Sequence, residues 1–225
     1  MKFVFMGDST MQENSQKTYP QVGWPQALPL FFDEKIEYRN FAKNGCSTKS
    51  FIDKGYFNNA IESLSEGDYC FIEFGHNDQK EYDKTRYTNY DEYQKNLRLM
   101  IDEVRNKKAI PVLLTSIYRR CFNENGKLEL NNHLDYPKKM IELANKLDVL
   151  VIDMTSLTFE LIESLGIDNS KRLFMNFEPG IYDNYLCGKE DNTHLRFDGA
   201  YYISKLFVQE LIKINHPLCK YLKGV

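Results

Sequence analysis

Lys2-Phe3-Val4-Phe5-Met6 runs without a spacer into Gly7-Asp8-Ser9-Thr10. A short apolar run closed by a glycine reads as a buried β-strand, and this one delivers a serine hydroxyl at its carboxyl end. Serine is a weak nucleophile at neutral pH and needs a base to take its proton. Near the other end of the chain, Asp191-Asn192-Thr193-His194 stands in a predicted loop ahead of a helical pattern. Histidine titrates near the working pH, and a carboxylate beside it fixes its tautomer and stabilises its charged form. The chain thus offers Ser9, Asp191 and His194, in that order, for nucleophilic catalysis. The two ends must meet for this, which demands a compact fold.

Between these ends strands and helices alternate. Phe3–Met6 is the first predicted strand and Lys35–Asn40 the second. Asp68–Phe74 is the third, with Tyr69, Cys70, Phe71, Ile72 and Phe74 almost continuously apolar. Such unbroken runs suit a parallel sheet covered on both faces. Ile110–Thr115 and Val149–Asp153 complete the set. Gly23–Phe32 reads as a short helix interrupted by Pro25 and Pro29, and Phe57–Leu64 as another. Tyr90–Lys107 has the strongest helical signal, with Tyr90, Tyr93, Leu97, Met100, Ile101 and Val104 at three- and four-residue steps. Tyr136–Leu147, Thr155–Leu165 and Asp198–Lys213 are further helices. Alternation of this kind points to an α/β fold with a parallel sheet, whose ligands bind beyond the carboxyl ends of the strands. No repeat or low-complexity linker interrupts it, so residues 1–225 are expected to form a single domain.

The candidate residues fall at that edge. Ser9 follows strand one, Gly45 strand two, Gly75-His76-Asn77-Asp78 strand three, and Thr115-Ser116 strand four. A tetrahedral intermediate needs donors for its oxyanion. A glycine lets a backbone N–H come close and an asparagine side chain adds another donor. Gly45 and Asn77, with the N–H of Ser9, are therefore the candidate oxyanion hole. Each element also has a plainer reading. Gly-Asp-Ser forms turns and helix caps, Asp191 or Thr193 could cap the last helix, Asn77 and Asp78 could be turn residues, and Gly45 could serve a left-handed turn. His133 and His216 lack a partner pattern and read as surface or structural. His76, Asp78, Asp191 and His194 are all metal-ligand types, but their spacing matches no zinc pattern. No metal or cofactor is expected. The four motifs, each following the right element, favour catalysis.

Composition sets further bounds. The formal net charge of the 225 residues is −3, without a long basic run, which argues against a nucleic-acid partner. No stretch approaches the ~20 apolar residues of a membrane span. The five cysteines, Cys46, Cys70, Cys121, Cys187 and Cys219, are scattered and odd in number and read as reduced thiols. The first strand begins at Lys2 and leaves no room for an export signal, so a cytoplasmic protein is expected. Oligomeric state is not legible.

The blocks Gly7-Asp8-Ser9-Thr10, Asn44-Gly45-Cys46-Ser47, Gly75-His76-Asn77-Asp78 and Asp191-Asn192-Thr193-His194 resemble those of the SGNH hydrolase superfamily. Within it the chain is most similar to the rhamnogalacturonan acetylesterases. Tyr19-Pro20-Gln21-Val22-Gly23-Trp24, Phe74-Gly75-His76-Asn77-Asp78-Gln79-Lys80, Arg119 through Leu128, Asp135-Tyr136-Pro137 and Asp191 through Leu195 carry that closer likeness, which extends over essentially the whole chain. Pro25 and the Arg196-Phe197-Asp198-Gly199 segment depart from the family pattern near the expected mouth of the site.

The resemblance implies a three-layer α/β/α sandwich with a five-stranded parallel sheet of flavodoxin-like type. It implies removal of acetyl groups from pectic oligosaccharides, with Ser9 as nucleophile, His194 as base and Asp191 as its orienter. Gly45 and Asn77 join the Ser9 N–H in the oxyanion hole, and Asp8 and His76 hold the strand ends from behind. Apart from the resemblance, Arg119 and Arg120 follow strand four and so fall near the active edge, where one of them could hold a galacturonate carboxylate; the plainer reading is that both are loop charges facing solvent or paired with a nearby Asp or Glu. The loops Glu81–Tyr90 and Ile181–Glu190 are rich in Tyr, Asn, Asp and Lys, which suits sugars better than lipid. The rival readings are an esterase of the same superfamily acting on xylan, lipid or thioester acyl groups, and a non-catalytic glycan-binding protein.

Overall fold

The computed structural model describes residues 1–224, and the chain divides into two compact units. The first contains Met1–Met11, Lys35–Ser116 and His133–Met154, and the second Gln12–Glu34, Ile117–Asn132 and the chain from Thr155 on.

The first unit is built on β1 (Lys2–Gly7), β2 (Glu37–Asn40), β3 (Tyr69–Glu73), β4 (Ile110–Leu114) and β5 (Leu150–Ile152). These form one sheet in the order β2-β1-β3-β4-β5, with every pairing parallel. The expected α/β class and five-stranded parallel sheet are thus observed. The helices of this unit are α1 (Thr48–Asp53), α2 (Tyr56–Ser63), α3 (Tyr90–Asn106) and α4 (Tyr136–Leu147). Val4, Met6, Cys70, Ile72 and Leu113 join Phe51, Phe57, Leu97, Met100 and Met140 in one buried cluster. On the opposite parity, Phe3, Phe5 and Phe71 are equally buried, with Phe71 5.1 Å from Phe3 and 5.3 Å from Phe5. Burial of both parities is why these strands read as unbroken apolar runs.

Helix α3 shows how sequence becomes packing here. Asn89 caps it by accepting from the Glu92 N–H, and Glu92 accepts from the Asn89 N–H in return. Tyr93, Leu97, Met100, Ile101 and Val104 then face the core and are fully buried. At roughly 1.5–3 kcal/mol for each buried large side chain, this face outweighs any difference in helix propensity.

The second unit contains a 3-10 turn (Trp24–Leu30), α5 (Met154–Ser170), β6 (Phe174–Phe177), β7 (Lys189–Leu195) and α6 (Phe197–Lys213). Trp24 is buried against Phe207 of α6, and the Ser204 hydroxyl donates to the Trp24 carbonyl at 2.7 Å. A β-carbon on Gly199 would lie 2.1 Å from the Leu173 carbonyl oxygen, so α6 reaches the start of β6 only with a glycine there. Among the described residues no helix is long and apolar enough to cross a membrane.

Several expectations are corrected. The predicted helix at Gly23–Phe32 is the tighter 3-10 turn, because Pro25 and Pro29 withhold the amides an α-helix would use. The second strand starts at Glu37, two residues late. Helix α1 was not expected; its sequence is mostly polar, and Ser47 starts it by accepting from the Ser50 N–H at 3.1 Å. Helix α5 runs beyond Leu165 to Ser170 through a kink at Gly166. The largest correction is the β6–β7 hairpin, which occupies what reads as loop.

Candidate active site

In the first unit, parallel pairing sets Gly7 opposite Glu73, so the turns after β1 and β3 emerge side by side. Ser9 lies in the first of these turns and is 8% exposed. Asp8 is wholly buried. Its Oδ1 accepts from the Thr10 N–H at 3.0 Å and hydroxyl at 2.8 Å, and its Oδ2 lies 3.2 Å from His76 Nδ1. Burial pushes the Asp8 carboxyl up, but the charge and hydrogen bond of His76, with the Thr10 donors, outweigh it and hold the pKa below the usual carboxylate range. The Thr10 hydroxyl also reaches Glu73 Oε1 at 2.6 Å. Thr10 and Glu73 belong to this network although nothing in the sequence singles them out. His133 is not at the surface: it is buried, with its ring 4.6 Å from that of His76.

Gly45 follows β2 with φ +71°, in the left-handed region, as its turn reading requires. The Arg86 guanidinium covers it, and a β-carbon there would lie 3.2 Å from Nη1. Asn77 is held at both ends of its amide. Its Nδ2 donates to the Cys46 carbonyl at 2.9 Å, and Lys80 Nζ donates to its Oδ1 at 2.8 Å. An ammonium on one side and a carbonyl on the other fix which amide atom is oxygen. Asp78, fully buried, accepts through Oδ1 from the Thr48 N–H and hydroxyl and from the Thr88 hydroxyl. Burial raises its pKa to about 7 in spite of these donors.

In the second unit the hairpin carries Asp191 and His194. Phe174 pairs with Leu195, but the next residue, Met175, pairs with Asp191. The intervening Asn192, Thr193 and His194 therefore leave the ladder as a bulge, a device that re-aims side chains. Asp191 shapes it: Oδ1 accepts from the N–H groups of Thr193 (2.9 Å) and His194 (3.0 Å), and Oδ2 lies 2.7 Å from His194 Nδ1. Burial alone would raise the Asp191 pKa, but these hydrogen bonds and the imidazole hold it at about 2. An ionised Asp191 makes Nδ1 the protonated nitrogen of His194 and leaves the lone pair on Nε2. Neither Asp191 nor Thr193 caps α6, whose N-cap is Arg196 without a side-chain bond.

Arg120 holds the bulge rather than facing outward. Its N–H donates to the Asn192 carbonyl at 2.9 Å and its Nη1 to Asn192 Oδ1 at 2.8 Å. Its Nε donates to the Ser170 hydroxyl at 2.8 Å and its Nη2 to the Ile167 carbonyl. With 6% exposure and its donors turned inward, Arg120 is not placed to take a substrate carboxylate. Arg119 is half-buried. His216 accepts from the Leu218 N–H as the cap of a short 3-10 turn. Of the four residues of the metal reading, His76 lies against Asp8, Asp78 accepts from Thr48 and Thr88, and Asp191 and His194 are paired with each other. Among the described residues no group of three or more His, Cys, Asp or Glu side chains is placed to hold a metal ion.

Comparison with known proteins bears on this arrangement. The sequence model of the GDSL-like lipase/acylhydrolase family matches residues 3–206. The chain belongs to that family. Among its GDSL-like relatives, the rhamnogalacturonan acetylesterase RhgT of Bacillus subtilis is 40% identical over 97% of this chain and 93% of its own length. The probable rhamnogalacturonan acetylesterase YesY of the same organism is 31% identical over 94% of this chain and 93% of its own. The crystal structure of YxiM from Bacillus subtilis superposes with a TM-score of 0.81 at 26% identity, covering 96% of this chain and 57% of that longer one. The acetylxylan esterase Axe2 of Geobacillus stearothermophilus shares the fold, with a TM-score of 0.64 at 15% identity over 93% of each chain. The resemblance read from the sequence blocks is thereby confirmed at the level of the family.

Proposed function

We propose that the protein is a serine esterase that removes acetyl groups from rhamnogalacturonan-type oligosaccharides, with the whole chain acting as one hydrolase domain. The observation that carries the chemistry is the Asp191–His194 pair, a 2.7 Å contact to an ionised carboxylate that leaves His194 Nε2 as the base. In this reading Ser9 Oγ attacks the acetyl carbonyl carbon and its proton passes to Nε2. The N–H groups of Ser9 and Gly45 and the second N–H of Asn77 Nδ2 receive the oxyanion. The intermediate collapses as His194 returns the proton to the departing sugar hydroxyl. Water, deprotonated by His194, then attacks the acetyl-serine and releases acetate. Asp8 and His76 fix the turn that carries Ser9.

The sugar class rests on the likeness to RhgT and YesY. The five cysteines are free thiols, which suits a reducing, cytoplasmic setting and oligosaccharides rather than polymer. Acetate release from acetylated rhamnogalacturonan fragments, set against acetylated xylan fragments, tests the assignment. The pectic fragments should be the better substrates. Ser9→Ala should abolish release with the fold intact, down to the residue left by binding and the oxyanion donors. A Ser9→Ala protein with most of its turnover would remove Ser9 from the mechanism.

A further inference from the structure

The loss of Arg120 as a carboxylate reader leaves open where an acidic sugar is recognised, and the second unit contains a place for it. A cleft of about 190 Å³ is lined by Tyr19, Tyr182, Arg172, Arg196, Phe197 and Asp198. Its walls are aromatic and uncovered: Tyr19 is 55% and Phe197 51% exposed, and Tyr182 meets Tyr19 edge-on at 5.6 Å. Large aromatic surface left in water at a cleft marks a binding face. Two guanidinium groups stand against the single carboxylate of Asp198, so the cleft carries an excess positive charge. Arg172 lies over the Tyr202 ring at 5.8 Å and Arg196 over the Phe177 ring at 6.0 Å, which steadies both. Arg196 Nε is buried with no hydrogen-bond partner among the described residues. A buried donor left unmatched costs stability that an incoming acceptor restores.

We propose that this cleft is a subsite for a uronate ring, with Arg172 and Arg196 holding its carboxylate and Tyr19 and Phe197 lying against its apolar face. The assignment rests on the acidic-oligosaccharide reading above and deepens it. Aromatic faces pack on the C–H surfaces of sugars, and guanidinium groups pair with carboxylates in a planar fork. The cleft lies below the roughly 300–1,000 Å³ of pockets for larger ligands, which suits one charged ring rather than a chain segment. Arg196 follows His194 by two residues, so a ring held here is tied to the element that presents the base.

The test is calorimetric titration with a de-acetylated rhamnogalacturonan oligosaccharide and with the same oligosaccharide after reduction of its carboxyl groups. The acidic form should bind roughly ten- to a hundredfold more tightly to the unaltered protein, a difference that shrinks with added salt. Arg172→Gln and Arg196→Gln should each erase most of that preference. Arg172 is exposed, so its variant remains informative if Arg196→Gln disturbs the fold. Equal binding of the two oligosaccharides, or a preference that survives both substitutions, overturns the subsite. Acetate release measured alongside keeps the two readings apart. Acid-selective binding without acetate release leaves the subsite standing and removes the esterase assignment, whereas release without acid selectivity does the reverse.

Discussion

Asp191 serves three donors with two oxygens, and the division of labour decides what a substitution does. Asp191→Asn keeps Oδ1 for the Thr193 and His194 amides, so the bulge should survive. At Oδ2 it places an NH₂ group against His194 Nδ1. A donor there forces the proton onto Nε2, the nitrogen that acts as base in the proposed mechanism. Turnover should fall on the order of 10⁴-fold with the melting temperature nearly unchanged, and an equal loss in Asp191→Ala and Asp191→Asn without tautomer change by NMR would contradict the argument. Lys80 works through another residue. Its ammonium on Asn77 Oδ1 orients the amide and draws electron density from the Nδ2–H groups. If Asn77 receives the oxyanion as proposed, Lys80→Met should lower kcat on the order of tenfold or more while KM moves little, because the oxyanion exists only in the transition state. A change confined to KM would make Lys80 a substrate contact instead.

Among the elements, the sheet was legible and the hairpin was not, for the same physical reason. Strands β1 and β3 are buried on both faces, so Phe3–Met6 and Tyr69–Ile72 must be apolar and announce themselves. Strand β7 is Lys-Glu-Asp-Asn-Thr-His-Leu, polar in six of seven positions and mostly half-buried, and its pairing is broken by the bulge, so neither alternation nor hydrophobicity marks it. The residue types Asp191 and His194 were readable; the bulge that presents them depends on register with Phe174 and Met175, which no local pattern records. Arg120 failed as a substrate contact because burial of a guanidinium is a tertiary fact. Its internal bonds predict a different phenotype from that of a substrate residue. Arg120→Met should cost roughly 2–4 kcal/mol, as its buried hydrogen bonds to Ser170, Asn192 and Ile167 are lost together. Amide exchange should quicken in Lys189–Leu195, and hydrolysis of neutral and acidic acetyl esters should fall together. A loss confined to acidic substrates would return Arg120 to the substrate's side.

At the scale of the whole molecule, Asp78 links stability to pH. Through Oδ1 it ties the turn after β3 to Thr48 in the first turn of α1 and to Thr88 ahead of α3, and its backbone carbonyl accepts from the Tyr136 hydroxyl of α4. Its Oδ2 is buried without a hydrogen-bond partner among the described residues. The carboxyl titrates at about 7 in the fold and at 3.8 when free. Between these values the folded chain keeps a proton that the unfolded chain has released, so stability falls as pH rises through the window and levels off above it. The slope amounts to as much as about 1.4 kcal/mol per pH unit. Asp78→Asn keeps the Oδ1 acceptor and has no proton to lose. The stability of the native protein relative to this variant, from urea unfolding, should therefore be greatest near pH 4 and decline steadily to pH 7. Other titrating groups cancel in that difference. A difference independent of pH over this range would mean that Asp78 is ionised in the fold at pH 4, and that burial does not govern this junction of three helices.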